Sequence, residues 1–510
     1  MRRTASTSLR SLSVPLPFRA IHTNTKPRSR WQLPWSLDST MYCRSANSLP
    51  TSVQHNPGDP RSGTRGCSEP RTGSARLQGG ATPRAKPYPT KSTPENTTMK
   101  IGVFEYNWGK AVGGSHMYLG AAAEALSLEH DVTILHQYDE ISNDYMAKFL
   151  DLDLSRVRFR TIPSLEATAK ISGTRNPVAR FRSIVEEHAD LSRDFDLFLG
   201  NFSFYVPSFN HSPRGVLQVD FPFKSYEWWH DFGQPPPRWT SPAGAARRLY
   251  RWHVWRERFA SYHRILANSE FCQTWLKRRW SVESTVVYPP SRDGLTPAAK
   301  ESMILGVARF VPDKKADVLV EAFRTLCDRG LNGWRLVLAG GLEKEWEGAA
   351  SYIDDLKRRA KGYPIDLRMD VPGPELRDLF QTAALFWHAK GYGVDPDANP
   401  EHMEHFGIVI VEAMAAGCVP LVFAGGGQQE IVRHGIDGFH WHDPQGLADR
   451  TWDLIHSAER YGEMSTASVE RAATFNKQAF INRFREAVTD LLPSSYPRDS
   501  ATDMRNPVLK

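Results

Sequence analysis

The most informative part of the sequence is residues 404–423, which read EHFGIVIVEAMAAGCVPLVF. From Phe406 onward this run is apolar except for Glu412, and it contains breaks at Gly417 and Pro420. Glycine and proline oppose a continuous helix, and a membrane-spanning helix needs about 20 uninterrupted apolar residues. We therefore interpret the run as a buried helix followed by a buried strand, and not as a transmembrane segment.

The chain from Lys100 onward alternates between short strand-like runs and longer helical patterns. Runs rich in Val, Ile, Leu and Phe that alternate with helices are typical of a parallel sheet covered by helices on both faces. The pattern occurs twice, so the predicted fold class is α/β, with two Rossmann-like parallel-sheet domains. The predicted strands are Ile101–Glu105, Val132–His136, Val157–Thr161, Leu197–Gly200, Gly215–Val219, Arg264–Ala267 and Thr285–Tyr288 in the first half, and Met303–Val307, Arg335–Ala339, Ile365–Arg368, Ala384–Trp387 and Val419–Phe423 in the second.

Composition also divides the chain into predicted segments. The linker between the halves runs from Pro289 to about Ala299, where Pro, Ser, Asp and Gly replace the periodic pattern. A final helical pattern, Lys477–Leu492, is a candidate for packing back on the first half. The predicted segments are a leader (1–98), a first domain (99–290) with an insertion (223–258), a second domain (300–475), a C-terminal helix (476–492) and a disordered tail (493–510).

The leader differs in composition from the rest of the chain. It contains 15 Lys or Arg but only 4 Asp or Glu, so the remainder carries about −4 although the whole chain carries +7. It is rich in Ser, Thr, Pro and Gly and shows no periodic pattern, which predicts disorder. Two interpretations stay open: an organelle-targeting peptide, because its start is rich in Arg and Ser, or an upstream extension that the working protein does not use.

Charge and cysteine usage exclude some classes of protein. The basic balance comes from the leader, so we expect no nucleic-acid binding by the folded part. The chain has five cysteines, of which three follow the leader, and their spacing argues against a disulfide framework. We therefore expect a reducing compartment, in the cytoplasm or at the cytosolic face of a membrane, unless the leader directs the protein to an organelle.

The insertion at residues 223–258 contains five Trp and six Arg. Arginine attracts anionic headgroups and tryptophan prefers the membrane interface, so one interpretation is contact with a membrane surface or an acidic acceptor. The other interpretation is a helix whose tryptophans pack inward and whose arginines are solvated.

Two glutamates flank the glycine at which the predicted buried helix begins. A helix that starts near Gly407 offers unpaired backbone amides to an anion, and glycine leaves room for a phosphate. Glu412 lies inside the apolar run, where a carboxylate needs partners, and two ribose hydroxyls would supply them. Glu404, just ahead of the helix, is a candidate for contact with a sugar. The alternative for Glu412 is a helix-start carboxylate that backbone amides satisfy.

This block, together with Gly425–Gly427 and Glu430, resembles the signature of the retaining glycosyltransferases of family four, the glycosyl transferases group 1. The resemblance extends over roughly residues 100–490. It implies the GT-B fold, in which two Rossmann-like domains face each other across a cleft, with the acceptor bound to the first and the nucleotide-sugar donor to the second. The positions that it implies are Phe406, Gly407 and Ile408 for the donor diphosphate, Glu412 for the ribose and Glu404 for the sugar.

Two further clusters match phosphate-binding positions of that family. Arg309 and Lys314 follow the first predicted strand of the second half, and cations at the carboxyl end of a parallel strand can hold a diphosphate. Gly113 and Gly114 follow the first strand of the chain and open a helix, which gives a second N-terminus that favours anions. The alternatives are a solvated turn for the first cluster and close helix packing for the second.

One position departs from the family pattern. Many members have a histidine after the strand that corresponds to Gly215–Val219, whereas this sequence has Asp220 there. Asp220 either binds a sugar hydroxyl, which makes it a candidate catalytic residue together with Glu404, or caps a turn before Pro222. Three histidines are possible substitutes, and each is interpreted first as structural: His116, His211 and His388.

No metal or other cofactor is predicted. Asp395–Asp397 and Asp151–Asp153 each contain Asp-x-Asp, which resembles the metal-binding pattern of a different transferase fold. Such carboxylates in polar loops are usually solvated, and Arg309, Lys314 and helix amides would neutralise a diphosphate without a metal. The spacings of Cys and His give no zinc pattern.

The resemblance implies an enzyme that moves a sugar from a nucleoside diphosphate sugar, GDP-mannose or a UDP-sugar, to an acceptor hydroxyl with retention of configuration. A carbohydrate or glycolipid is the expected acceptor. Val287–Pro290 and Glu404–Ile408 resemble the mannosyltransferases that extend lipid-linked oligosaccharide, which favours GDP-mannose. The alternatives are an epimerase or hydrolase of the same fold, or a catalytically inactive nucleotide-sugar-binding protein.

Overall fold

The computed structural model describes residues 98–105, 107–110, 112–163, 190–201, 209–223, 242–343 and 347–493. The predicted leader up to residue 97, residues 224–241 of the predicted insertion and the predicted tail from residue 494 lie outside the described residues.

Within the described residues, the first half forms a seven-stranded parallel sheet in the order β3-β2-β1-β4-β5-β6-β7. Its strands are β1 (Lys100–Phe104), β2 (Asp131–His136), β3 (Arg158–Thr161), β4 (Leu197–Asn201), β5 (Arg214–Val219), β6 (Arg264–Ala267) and β7 (Thr285–Val286). Ile101 pairs with Val132 on one side and with Leu197 on the other. Every residue of β4 is buried, as expected for a strand that helices cover on both faces.

The second half, in the part that the structure describes, forms a six-stranded parallel sheet in the order β10-β9-β8-β11-β12-β13. Its strands are β8 (Glu301–Val307), β9 (Arg335–Gly340), β10 (Ile365–Met369), β11 (Ala383–His388), β12 (Val419–Phe423) and β13 (Phe439–Trp441). Each predicted strand of both halves overlaps an observed one. Strand β13 was not predicted, because three residues are too few to show a strand pattern.

Helices connect these parallel strands. They are α1 (Gly114–Ser127), α2 (Asn143–Leu150), α3 (Pro242–Ala260), α4 (Glu270–Trp275), α5 (Ala316–Asp328), α6 (Ala349–Ala360), α7 (Gly373–Thr382), α8 (Ile408–Ala415), α9 (Gln428–Ile431), α10 (Pro444–Ile455), α11 (Ala458–Ala473) and α12 (Lys477–Val488). Shorter helical turns lie at Ser192–Asp194, Leu276–Trp280, Pro312–Lys314, Pro400–His402 and Thr489–Leu491.

Strand order reverses once in each sheet. The chain winds outward from β1 through β2 to β3 and then returns to place β4 on the other side of β1. In the second sheet, β8 has β9 on one side and β11 on the other. Ligands of open α/β sheets bind outside the carboxyl ends of the strands at such reversal points. The segments that follow β1, β8 and β11 are therefore the places to look for a site.

The last helix packs on the first half. Phe480 and Phe484 of α12 belong to the hydrophobic core that contains Ile101 and Val103 of β1. The Phe480 ring lies edge-on to Tyr118 of α1, with 4.9 Å between the ring centroids. The C-terminal helical pattern thus does cross back from the second half to the first.

Candidate functional site

Two helix N-termini meet between the sheets. Helix α8 follows Gly407, whose φ of +110° is a left-handed conformation that favours glycine. Helix α1 begins at Gly114 with Gly113 as its N-cap, and a Cβ atom placed on Gly114 would lie 3.2 Å from Cδ1 of Ile408. Helix N-termini present unpaired amides that attract anions. The predicted glycines of both halves therefore lie at one place.

The glycine triplet after β12 supports the loop that carries Glu404. The backbone amide of Gly427 donates to the carbonyl oxygen of Glu404 at 2.7 Å. A Cβ atom on Gly426 would lie 2.3 Å from the Glu404 oxygen, and one on Gly427 would lie 2.2 Å from the His405 oxygen. Contacts that short exclude any side chain, so Gly426 and Gly427 are glycine because two backbones touch here.

Glu404 and Lys314 form a largely buried ion pair. Lys314 ends the short turn after β8, and its Nζ atom donates to Oε2 of Glu404 at 2.9 Å. Burial by itself would raise the pKa of Glu404, but Lys314, Lys390 and His388 outweigh burial and hold that pKa well below its ordinary value. Glu404 is therefore ionised at neutral pH.

Further charged groups surround this pair. Nζ of Lys390 lies 3.3 Å from Asp313, and Nδ1 of His402 lies 3.2 Å from the same carboxylate. Burial opposes ionisation of Asp313, but His402 and Lys390 outweigh it and lower its pKa. His388 places Nε2 3.3 Å from Glu404 Oε2. These groups come from the segments after β8 and β11, the positions that strand order indicates.

Arg309 lies in the loop after β8 but is not part of the buried pair. Its side chain is 61% exposed, and its guanidinium forms an ion pair with Glu343 in the loop after β9. An exposed pair of this kind contributes little to stability and opens easily. The structure therefore leaves the Arg309 side chain at the rim of the site.

Glu412 has a partner that was not predicted. Its carboxylate, in a residue only 1% exposed, accepts from Nε of Arg292 at 2.6 Å and from Nη2 at 3.1 Å. This bidentate pair compensates for the burial of the carboxylate, which sequence reasoning had assigned to ribose hydroxyls. Ribose binding by Glu412 stays a prediction, and it now rests on the position of Glu412 in helix α8.

A cavity of about 450 Å³ lies beside Arg292. Tyr145 and Phe149 of α2 line it from the first half, and Gly373 and Arg377 of α7 line it from the second. The Arg292 guanidinium lies over the Phe149 ring, 5.6 Å from its centroid. The cavity thus lies next to the partner of Glu412, Arg292, and its lining includes aromatic and charged side chains.

Asp220 follows β5, and the next residue in the chain contacts the segment that contains Glu404. Its carboxylate accepts from Asn201 at 3.0 Å and from Gln218 at 2.9 Å. The next residue, Phe221, stacks on His405 with 4.3 Å between the ring centroids. Amide donors thus fix the direction of the Asp220 carboxylate, and both roles predicted for it remain open.

The three alternative histidines lie in different surroundings. His211 precedes β5, so it lies at the amino end of that strand, away from the site. His116 lies 3.8 Å from Glu105 at the end of β1, and both are buried. Burial raises the pKa of Glu105 to about 8 and lowers the pKa of His116 to about 4, so both are neutral at pH 7. His388 is the one of the three that contacts Glu404.

Contacts across the cleft hold the halves together. The Glu430 carboxylate of α9 accepts from the amides of Glu270 and Phe271 at 2.7 Å each, and burial raises its pKa to about 7. Ser269 donates to the carbonyl oxygen of His405 at 2.6 Å. The Gly407 end of α8 is therefore enclosed by both halves.

The described residues can also be searched for a metal-binding group and for a membrane-spanning helix. Among the described residues, no group of three or more His, Cys, Asp or Glu is arranged to hold a metal ion. Asp395 accepts from the amide of Asp397, and Asp397 lies 3.3 Å from Arg278. In the described part of the chain, no helix combines the length and the apolar composition that crossing a membrane requires.

Residues 289–471 match the family model described as glycosyl transferases group 1. Over this range the second half is similar to the group 1 glycosyl transferases. This domain contains the Lys314–Glu404 pair, the α8 N-terminus at Gly407 and the Arg292–Glu412 pair, so the resemblance noted in the sequence is confirmed.

Relatives of known name match less than half of the chain. An α-1,2-mannosyltransferase of Dictyostelium discoideum, named for GDP-Man and Man(3)GlcNAc(2)-PP-Dol, is 24% identical over 45% of this chain and 46% of its own length. A D-inositol 3-phosphate glycosyltransferase of Mycobacterium marinum is 35% identical over 40% of each chain. The chain thus spans about half or less of the length of these relatives.

A solved structure confirms the fold. The Anabaena protein HepE, crystallised with UDP and glucose, covers 77% of this chain and 100% of its own, with a TM-score of 0.54 and 16% identity. Together with the two parallel sheets, this match confirms the predicted GT-B fold.

Several site residues could not be found from the sequence. Arg292 is 120 positions from Glu412, and Lys390 is 77 positions from Asp313, so no local spacing connects the members of either pair. Tyr145 and Arg377 line one cavity although they lie in different halves of the chain. Only the folded arrangement brings these groups together.

Proposed function

We propose that this protein transfers a sugar from a nucleoside diphosphate sugar to an acceptor hydroxyl. The observation that carries the proposal is the meeting of two glycine-led helix N-termini beside Lys314 and the ionised Glu404, within a group 1 glycosyl transferase domain. Backbone amides and a cation favour a diphosphate, and a buried acceptor oxygen favours a sugar hydroxyl.

The donor would extend along the second half from α8 to the cavity. Its diphosphate would bind the amides after Gly407, with Lys314 beside it and Arg309 turning in from the rim. Gly113 and Gly114 would approach the same phosphates from the first half. The ribose would lie near the Glu412 end of α8, and the base would enter the cavity beside Arg292.

The reaction would exchange one carbon–oxygen bond for another. As the bond between the anomeric carbon and the phosphate oxygen breaks, the acceptor oxygen bonds to that carbon on the same face, so configuration is retained. The acceptor proton passes to the departing phosphate oxygen. Amides and cations that are already in place stabilise the charge that grows on the diphosphate, so no metal is required. Glu404 would orient the sugar, and Asp220 would accept from a hydroxyl at the other side.

The names of relatives guide the choice of substrates. The Dictyostelium relative supports GDP-mannose and a lipid-linked oligosaccharide, whereas HepE was solved with UDP. A glycolipid acceptor agrees with the surface of α3, where Leu249 is 66% and Trp252 41% exposed and the Arg256 guanidinium lies over the Trp252 ring. Trp255 instead packs inward, so only part of this helix suits a membrane surface.

Mass spectrometry of the acceptor tests the proposal. The full chain is incubated with GDP-mannose or UDP-glucose and a mixture of glycan and glycolipid acceptors, with EDTA present. We expect an acceptor mass that increases by one hexose, and its loss in Glu404→Gln. Release of free sugar without any transfer would instead identify a hydrolase. If no donor were consumed although nucleotide bound, the alternative of an inactive binding protein would replace the proposal.

A further inference from the structure

The side-chain amide of Gln428 has a fixed orientation. Gln428 is the first residue of α9 and is fully buried. Its Nε2 atom donates to the carbonyl oxygens of Phe423 at 2.7 Å and Lys390 at 3.2 Å. Carbonyl oxygens only accept, so the amide nitrogen must face them and Oε1 must point the other way.

The fixed amide determines where His388 carries a proton. Oε1 of Gln428 lies 2.7 Å from Nδ1 of His388, and because this oxygen only accepts, Nδ1 must carry hydrogen. In the neutral ring, Nε2 would then carry a lone pair and no hydrogen. Nε2 lies 3.3 Å from Oε2 of the ionised Glu404, and two lone pairs facing each other in a buried site repel. A second proton, on Nε2, turns this repulsion into a charge-assisted hydrogen bond.

We propose that His388 is a positioning residue for Glu404, held by Gln428 as a doubly protonated ring. His388 and Lys314 then both donate to Oε2 of Glu404. Within the described residues, Oε1 of Glu404 has no hydrogen-bond partner. The pair of cations thus fixes the carboxylate and leaves Oε1 to accept from a sugar hydroxyl, a role that rests on the proposed function.

An additional proton on His388 changes the balance of charge in the site. The groups that face the ring are Glu404 and Lys314, with Lys390 and Asp313 behind them. With His388 protonated, it joins Lys314 and Lys390 beside the carboxylates of Glu404 and Asp313, and His402 also contacts Asp313, so positive charge exceeds negative charge here. A diphosphate that arrives at the neighbouring α8 N-terminus would balance that charge.

Two variants of His388 separate positioning from packing. Glutamine at position 388 can place an amide donor where Nε2 lies, toward Glu404, whereas asparagine can place one only where Nδ1 lies, toward Gln428. We expect His388→Gln to keep kcat/KM within about 10-fold of the native value and His388→Asn to lose on the order of 100-fold, the worth of a hydrogen bond to a charged group. If asparagine preserved activity better than glutamine, packing against Gln428 would be the role of His388, and the proposal would be wrong.

Nitrogen NMR tests the proton assignment without any activity. The full chain is prepared with ¹⁵N-labelled histidine rings, and His388→Gln identifies the His388 signals by their absence. We expect both ring nitrogens of His388 to carry hydrogen in the folded protein, as the contacts with Gln428 and Glu404 require. One protonated and one unprotonated nitrogen would overturn the proposal. A doubly protonated ring in a protein that transfers no sugar would support the assignment and count against the proposed function alone.

Discussion

Replacing Lys314 by methionine should destabilise the protein through Glu404. Methionine keeps most of the volume of lysine but removes the ammonium group that lies 2.9 Å from the carboxylate. The two side chains are 17% and 13% exposed, so the pair is mostly desolvated. Breaking a buried pair from one side costs about 3–5 kcal/mol because the other charge stays buried, and the remaining contact with His388 favours the lower end, about 3 kcal/mol.

Urea unfolding of four proteins measures the interaction free energy between Lys314 and Glu404. They are the native chain, Lys314→Met, Glu404→Gln and the double variant, compared at pH 7 by tryptophan fluorescence. In the Glu404→Gln background the lysine has already lost its charged partner, so removing it should cost little, and the coupling should be about 2–3 kcal/mol. Lys277→Met is the matched control, because Lys277 and Glu283 are also 2.9 Å apart but 68% and 82% exposed. It should change stability hardly at all.

The loss of stability in Lys314→Met should depend on pH. The folded-state pKa of Glu404 lies below 4.5, the ordinary glutamate value, so its stabilising contribution is complete above about pH 4.5 and is lost as pH falls through the lower folded value. The gap between the native chain and Lys314→Met should therefore be full at pH 7 and narrow in acid. Coupling within error of zero at pH 7 would refute the reasoning.

Three more predictions concern other parts of the site. Glu105→Gln should stabilise the protein at pH 8, because the pKa of Glu105 is about 8 in the folded protein and 4.5 ordinarily, so the native protein loses stability as pH rises between those values. Urea unfolding would contradict this if the difference in stability between Glu105→Gln and the native chain were the same at pH 5 and pH 8. Gly427→Ala should lower the melting temperature, since its Cβ atom would lie 2.2 Å from a carbonyl oxygen, whereas Gly462→Ala in α11 should raise stability by about 0.5–1 kcal/mol. Phe149→Ala should weaken nucleotide binding roughly 10-fold in calorimetry if the base occupies the cavity, and unchanged affinity would place the base elsewhere.

The sequence was sufficient for every strand except β13 because each of the other strands carries its own signal. Buried parallel strands are nearly continuous apolar runs, and β11 (AALFWH) is buried along its whole length. The glycines at 407, 426 and 427 could be recognised because the backbone needs glycine there: Gly407 has a φ of +110°, and a Cβ atom on Gly426 or Gly427 would meet a backbone oxygen. Strand β13 has only three residues, which is too short a run for such a signal.

The charge pairing within the site could not be predicted. Glu412 was expected to need ribose hydroxyls, but Arg292 from the interdomain linker satisfies it. His388 was interpreted as structural, but its ring faces Glu404. Pairing of this kind depends on side-chain directions at the ends of separate strands, and sequence spacing contains no information about those directions.

Calorimetric titration with GDP and with UDP tests the central claim, that the second half binds a nucleoside diphosphate at the α8 N-terminus beside Lys314. The titrations use the full chain in EDTA, with Lys314→Met and the exposed Lys277→Met as the matched pair. We expect one of the two nucleotides to bind without metal. Lys314→Met should weaken its binding at least about 10-fold, the worth of one charge-assisted hydrogen bond, whereas Lys277→Met should bind it like the native chain. Failure of both nucleotides to bind, or equal affinity in the two variants, would contradict the central claim.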